Sequence, residues 1–341
     1  MSESASKTRP RVAMLIPTKR QPEMLTSEAQ AQLRRIAEVS EVDGDAAVVS
    51  AHLGDLLAGA EACLTGWGTP HLPEEVVERA PSLRLIAHCA GSVKHLISPA
   101  TFARGIVVCH AANVIADSVA EYTLLAMLMG LRRLHELSQA VTARKEWRET
   151  TDTFSARQLG ARTVGLVGMG YVGRKVARLV KAFGARILVY DPYFRPDHAS
   201  GLGVESVSLE ALFKECEVVS VHLPITPETR HLIGASELGL LRDGSIFVNS
   251  SRSWGVDQVA LLDLLRTGRV WAALDVFDQE PLPADSPFRD LPNVILTPHQ
   301  AGHTVDSAQH LGLSMVEEID RFFRGEELRY RISPESFAQM A

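Results

Sequence analysis

Apolar residues follow two rhythms along this chain. The short runs Val12–Ile16, Ala46–Val49, Ala62–Leu64, Leu85–His88 and Ile106–Cys109 read as strands. Ser27–Val39 and Pro73–Ala80, with apolar residues three and four apart, read as helices between them. Such alternation builds a parallel sheet with helices on its faces. The rhythm breaks at Ser118-Val-Ala-Glu121, a capping box whose Ser hydroxyl satisfies the N3 amide while the Glu reaches back to the cap. It predicts a helix over Val119–Leu134 that is apolar around nearly its whole circumference, as a helix buried on more than one side is. Ala140–Gly160, with Trp147 and Phe154, is polar and irregular and reads as a connection or arm.

A second series begins at Thr163. Its predicted strands are Thr163–Val167, Arg186–Tyr190, Val218–Leu223, Ser245–Asn249, Val270–Leu274 and Val294–Leu296, with helices Val172–Phe183, Leu209–Lys214 and Gln258–Arg266 between them. Six strands fill a dinucleotide-binding sheet. A last helix, Val305–Phe323, precedes a polar tail. The first series lacks a closing helix, so this one is expected to return to it. The expected fold is α/β with two doubly wound parallel-sheet domains. A Rossmann dinucleotide-binding domain, 118–299, is inserted into a flavodoxin-like domain, 1–117 plus 300–341.

The length of 341 residues agrees with two domains at roughly 150 residues each. With 46% hydrophobic and 22% charged residues, chain-wide disorder is excluded. A net charge of −6 argues against nucleic-acid or acidic-membrane partners, which call for a basic patch. The longest fully apolar stretch, Leu124–Met129, falls well short of the ~18 residues that cross a bilayer. Val12–Ile16 is too short for the ~7–15-residue apolar region of a secretory signal. A soluble, cytoplasmic protein is expected, with Met1–Pro10 frayed. None of the four cysteines (Cys63, Cys89, Cys109, Cys216) lies in a C-x-x-C pair, so no metal is expected, and Cys63, Cys89 and Cys109, which end or abut apolar runs, read as small buried hydrophobes.

Gly168-Met-Gly170-Tyr171-Val172-Gly173 follows an apolar strand and opens a helix, the context that turns a glycine string into a dinucleotide motif. Gly168 allows the tight turn, Gly170 the approach of backbone to a pyrophosphate, and Gly173 close helix–strand packing. The helix start offers amides and partial positive charge to the anion. The next predicted strand ends in Asp191, an acid suited to accept from ribose hydroxyls and to repel a 2′-phosphate. That favours NAD over NADP, although Arg195 stands nearby. Arg252, Glu280 and His299 follow the ends of later strands. Singly they read as a solvated cation, a turn residue before Pro281 and a capping imidazole. Together they form a chemistry: a guanidinium grips a carboxylate with two prongs, a histidine moves a proton at a carbonyl, and a glutamate orients that histidine.

Four motifs carry a resemblance: Gly168–Gly173 with Asp191; His222–Ile233; Asn249–Asp257; and Asp275–Pro281 with Thr297–Gly302. In this order the chain resembles the D-isomer-specific 2-hydroxyacid dehydrogenases. The resemblance implies an NAD cofactor, a small 2-keto or 2-hydroxy acid substrate and a homodimer pairing through the nucleotide domain, which suits the apolar helix at Val119–Leu134. It implies Arg252 as carboxylate clamp, His299 as acid/base and Glu280 as its partner. Cofactor contacts would come from Gly168, Gly170, Tyr171, Val172, Gly173, Asp191, Pro224 (adenine side), Thr229, Ser250, Ser251, Arg252, Asp275 (near the nicotinamide), His299 and Gly302. Substrate contacts would come from Gly91, Ser92 and Arg252.

There are departures. Where the family commonly has Arg-Gly-Gly, Arg252 is followed by Ser253-Trp254-Gly255. In the substrate loop Ala90-Gly-Ser-Val-Lys-His95, Lys94 stands where an acid is expected, and would either suit a phosphate or second carboxylate or point to solvent. His303 makes an H-x-x-x-H string with His299, but no Glu lies inside it to support a zinc site. A rival reading is an NAD(H)-sensing binding protein of corepressor type. Formate oxidation is disfavoured, because formate dehydrogenases of this fold carry Gln where Glu280 stands.

Overall fold

The computed structural model describes residues 9–145, 147 and 156–340. Met1–Thr8, within the segment expected to fray, and most of the arm beyond Lys145, Phe154 included, lie outside the described residues. The chain forms two compact units, Met1–Ile115 with His303–Met340, and Ala116–Gly302.

The first unit opens with β1 (Arg11–Met14), α1 (Ser27–Ile36), β2 (Glu38–Ser40), α2 (Ala46–Ala51), α3 (Leu53–Leu57) and β3 (Ala62–Thr65). α4 (Glu74–Glu78), β4 (Leu85–His88), α5 (Ala100–Ala103) and β5 (Val107–His110) follow. Two expectations fail here. Ala46–Val49 is helical, because the Asp45 carboxylate accepts the Ala47 and Val48 amides at 2.9 and 3.1 Å and caps a helix start. An apolar run this short has no period of its own, so the cap decides. The helix from Ser27 stops at Ile36, and Val39, β-branched and suited to a pleat, pairs with Val12 of β1 instead.

α6 (Ala112–Arg132) starts well before Ser118. It grows directly out of β5, with the Ala111 carbonyl accepting the Val114 and Ile115 amides, so Ser118 and Glu121 sit inside a helix and not at its start. By length and composition α6 could cross a bilayer. Its Ala120, Ala126, Met127 and Leu131 instead pack in the second unit's core with Ile246 and Trp271. There follow α7 (Leu134–Thr142), β6 (Thr163–Val167), α8 (Tyr171–Ala182), β7 (Arg186–Tyr190), β8 (Val204–Ser206) and α9 (Leu209–Glu215). The unit closes with β9 (Val218–Val221), α10 (Ala235–Gly239), β10 (Ile246–Asn249), α11 (Gln258–Arg266), β11 (Trp271–Leu274) and β12 (Val294–Leu296).

The chain then re-enters the first unit as α12 (Val305–Arg324), β13 (Arg331–Ile332) and α13 (Pro334–Gln339). α12 lays Leu311, Met315, Val316 and Ile319 into a core with Met14, Leu64 and Leu85. Its buried Glu318 carboxylate accepts the Arg329 and Tyr330 amides, both at 3.1 Å, which steers β13 antiparallel onto β5. The sequence reads that stretch only as a polar tail.

The first sheet has the order β2-β1-β3-β4-β5-β13 and the second β8-β7-β6-β9-β10-β11-β12. Both are doubly wound, with strand order reversing beside β1 and beside β6, the kind of point at which such sheets take up ligands. The four cysteines are buried, and burial pushes their thiols up, Cys63 and Cys216 to about 12.

Candidate active site

At the reversal of the second sheet, β6 runs into Gly168, whose φ of +102° is a left-handed value that favours glycine. A Cβ on Gly168 would lie 2.5 Å from the His222 carbonyl, and one on Gly173 would lie 2.3 Å from the Gly168 carbonyl. Neither site admits a side chain. Gly170 faces open space just before α8, whose first turn presents amides and the positive end of its dipole. The Asp191 carboxylate, after β7, is fixed at the mouth of this turn by the Met169 amide (2.7 Å) and the Tyr193 amide (2.8 Å). His222 forms the floor. Burial pulls its ring down to about 3, so it is neutral, with Nε2 3.1 Å from the Ser220 hydroxyl. A cradle that a Cβ would fill, beside an oriented acid, fits a pyrophosphate with its ribose.

After β9, the Thr229 hydroxyl donates to the Pro224 carbonyl at 2.7 Å and closes a tight turn. After β10, the Asn249 side-chain oxygen accepts the Ser251 amide (3.1 Å), and its Nδ2 donates to the Arg252 carbonyl (3.0 Å). Arg252 is thereby presented from a braced turn. The departure at Trp254 has a structural use. Its indole donates to the Thr226 carbonyl at 2.8 Å and lies under the Arg230 guanidinium, 5.2 Å from ring centroid to Cζ. It ties the Arg252 turn to the Pro224–Thr229 turn, two segments the sequence leaves unconnected.

Glu280 and His299 meet. His299 Nδ1 lies 2.8 Å from Glu280 Oε2, and the other carboxylate oxygen accepts the Phe277 amide at 2.9 Å. A carboxylate accepts, so Nδ1 carries the hydrogen and Nε2 is left for other chemistry. Burial lowers the pKa of Arg252, while the nearby Glu280 charge opposes the fall. His299 itself has φ of +55°, rare for a non-glycine residue and imposed by its surroundings.

Those surroundings centre on Asp275, which is fully buried. Its carboxylate accepts from the Thr297 hydroxyl (2.6 Å) and the Gln300 and Ala301 amides (2.8 Å each), while its carbonyl accepts the His299 amide (2.9 Å). Gly302 is buried at the end of this turn. Two residues absent from the sequence reading complete the bracing. The Tyr122 hydroxyl lies 2.5 Å from Thr297 Oγ1, and Thr123 Oγ1 lies 2.8 Å from Ser250 Oγ. Both come from α6, and no motif marks them.

Gly91 and Ser92 belong to the first unit, on the segment after β4. The Gly91 carbonyl accepts from His110 Nδ1 at 2.9 Å, and the Ala90 carbonyl accepts the Ala111 amide at 3.1 Å. The Lys94 ammonium donates to the Ala338 carbonyl near the end of α13, at 3.3 Å. His303 stacks on Trp67, with ring centroids 4.4 Å apart.

Residues 124–301 match the model of the D-isomer specific 2-hydroxyacid dehydrogenase NAD binding domain. The chain is 33% identical over 296 residues to a D-3-phosphoglycerate dehydrogenase of Methanocaldococcus jannaschii, covering 86% of this chain and 56% of that relative. It is 38% identical over 261 residues to a glyoxylate reductase of Korarchaeum cryptofilum, covering 76% of this chain and 78% of that protein. A crystal structure of a phosphoglycerate oxidoreductase from Rhizobium etli superimposes with a TM-score of 0.79 at 29% identity, covering 95% of this chain and 99% of that one. The chain belongs to the D-isomer specific 2-hydroxyacid dehydrogenase family, and its second unit carries the family's NAD-binding domain.

Proposed function

We propose that this chain is an NAD-dependent dehydrogenase interconverting a small D-2-hydroxy acid and its 2-keto acid. The observation that carries the reading is the 2.8 Å Glu280–His299 pair, in a unit that also presents Arg252. When bound, NADH supplies a hydride for the carbonyl carbon. Arg252 holds the substrate carboxylate with two parallel N–H donors, and so fixes the plane of the carbonyl. Glu280 keeps the Nδ1–H tautomer of His299, and protonated Nε2 gives its proton to the carbonyl oxygen as the alkoxide forms. In the oxidising direction the neutral Nε2 takes the hydroxyl proton back. Asp191 supports NADH over NADPH, since a 2′-phosphate would meet its charge. Gly91 and Ser92 offer backbone and hydroxyl groups to the acid's carboxylate. Leu125, 54% exposed, with the part-buried Leu128 and Met129 beside it on the same face of α6, supports a homodimer through the second unit.

The test is NADH and NADPH oxidation with glyoxylate, hydroxypyruvate, 3-phosphohydroxypyruvate, pyruvate and longer 2-keto acids. Turnover of at least one acid with NADH preferred is expected. Stoichiometric NADH binding without turnover on any acid would refute the reading and favour a dinucleotide-sensing binding protein.

A further inference from the structure

The turn that presents His299 is braced from outside itself. Thr297 Oγ1 has one hydrogen, and the buried Asp275 carboxylate, which only accepts, takes it at 2.6 Å. The Tyr122 hydroxyl, 2.5 Å away, must therefore be the donor to Thr297. The bonds run one way: Tyr122 to Thr297, Thr297 to Asp275. Each bond polarises the next. Asp275 then accepts the Gln300 and Ala301 amides, and its carbonyl accepts the His299 amide. Burial pushes the Tyr122 hydroxyl up to about 12, with the Asp275 charge acting the same way against the Thr297 bond, so it stays protonated as a donor at any ordinary pH.

The neighbouring residue repeats the device. Thr123 Oγ1 donates to the Val119 carbonyl at 2.7 Å, so in the 2.8 Å contact with Ser250 it accepts. Ser250 stands two residues before Arg252. Two consecutive hydroxyls of α6 thus engage the turns of the acid/base group and of the carboxylate clamp.

We propose that Tyr122 is a positioning residue whose hydroxyl, acting through Thr297 and Asp275, holds the turn that presents His299. The proposal rests on the dehydrogenase reading for its effect on turnover, but the tether itself is a property of the fold. Tyr122 touches neither substrate nor cofactor in this account. A left-handed backbone at a non-glycine residue relaxes unless it is held, and Asp275 alone would hold it from one side.

The experiment compares wild type, Tyr122→Phe, Thr297→Val and Thr297→Ser by amide hydrogen exchange, melting temperature and steady-state kinetics. In Tyr122→Phe, residues 296–302 should exchange about tenfold faster and kcat should fall about tenfold, the worth of one hydrogen bond. KM for the keto acid should stay within about twofold, because Arg252 is untouched. Thr297→Val should reproduce both changes, and Thr297→Ser, which keeps the hydroxyl, should restore wild-type values. Unchanged exchange at 296–302 with unchanged kcat overturns the tether. So does a lowered melting temperature with faster exchange everywhere and unchanged kcat, which marks Tyr122 as an ordinary core residue. If wild type turns over no keto acid, the dehydrogenase reading fails on its own, and exchange at 296–302 alone decides the tether.

Discussion

In the second unit, groups assigned to chemistry are held by their side chains. Asp275 accepts three donors, Glu280 is pinned by the Phe277 amide before it reaches His299, and the Arg252 guanidinium donates to the Ser251 carbonyl at 2.7 Å. In the first unit the segment after β4 is anchored by its carbonyls, Gly91 to His110 and Ala90 to Ala111. A side chain anchored at two points keeps its angle to within what proton transfer and bidentate binding require. A segment anchored through its backbone keeps its path while its side chains change. The proposed function accordingly divides the work, giving the reaction to the second unit and the choice of acid to the first.

The largest test of that division is His299→Ala, which should lower turnover in both directions by the ~10²–10⁴-fold of a general acid/base. Arg252→Lys keeps the charge and loses the fork, so kcat/KM on the best keto acid should fall about ten- to a hundredfold. Unaltered activity would place the clamp elsewhere.

The units share one vulnerability, a buried neutral histidine in each. Burial pulls both His88 and His222 down to about 3, with His95 and His110 adding to the fall at His88. Unfolded, each ring takes up a proton near pH 6.5, so stability is lost as pH falls from about 6.5 toward 3 and is unaffected above that window. At pH 4.5 the loss is about 3 kcal/mol for each ring. Urea midpoints at pH 7 and 4.5 should show the drop. His222→Gln should be weaker at pH 7 but lose less on acidification. The smallest effect belongs to Lys94→Ala. Its ammonium lies on the Ala338 carbonyl, so keto-acid KM should change by no more than about twofold, and a larger rise would return Lys94 to the substrate.

Legibility in the sequence followed the reach of the forces involved. The glycine string and Asp191 could be read because the backbone itself demands them, and strands such as Thr163–Val167 because their burial makes them continuously apolar. The edge strands β2, β8 and β13 escaped because they are short and half solvated, with little apolar signal. α2 was hidden by an apolar run too short to show a period, and Ser118–Glu121 copied a cap inside a helix that had already begun. Tyr122, Thr123 and the Trp254 bridge depend on partners far along the chain. Their roles exist only once the sheet has brought those partners close.

Reduction of a 2-keto acid with NADH carrying deuterium at both C4 positions tests the central claim most directly. Transfer within the site predicts a hydroxy acid of D configuration carrying one deuterium at C2, formed by wild type and lost with His299→Ala. A product without deuterium, or bound NADH with no product from any acid, would contradict the account.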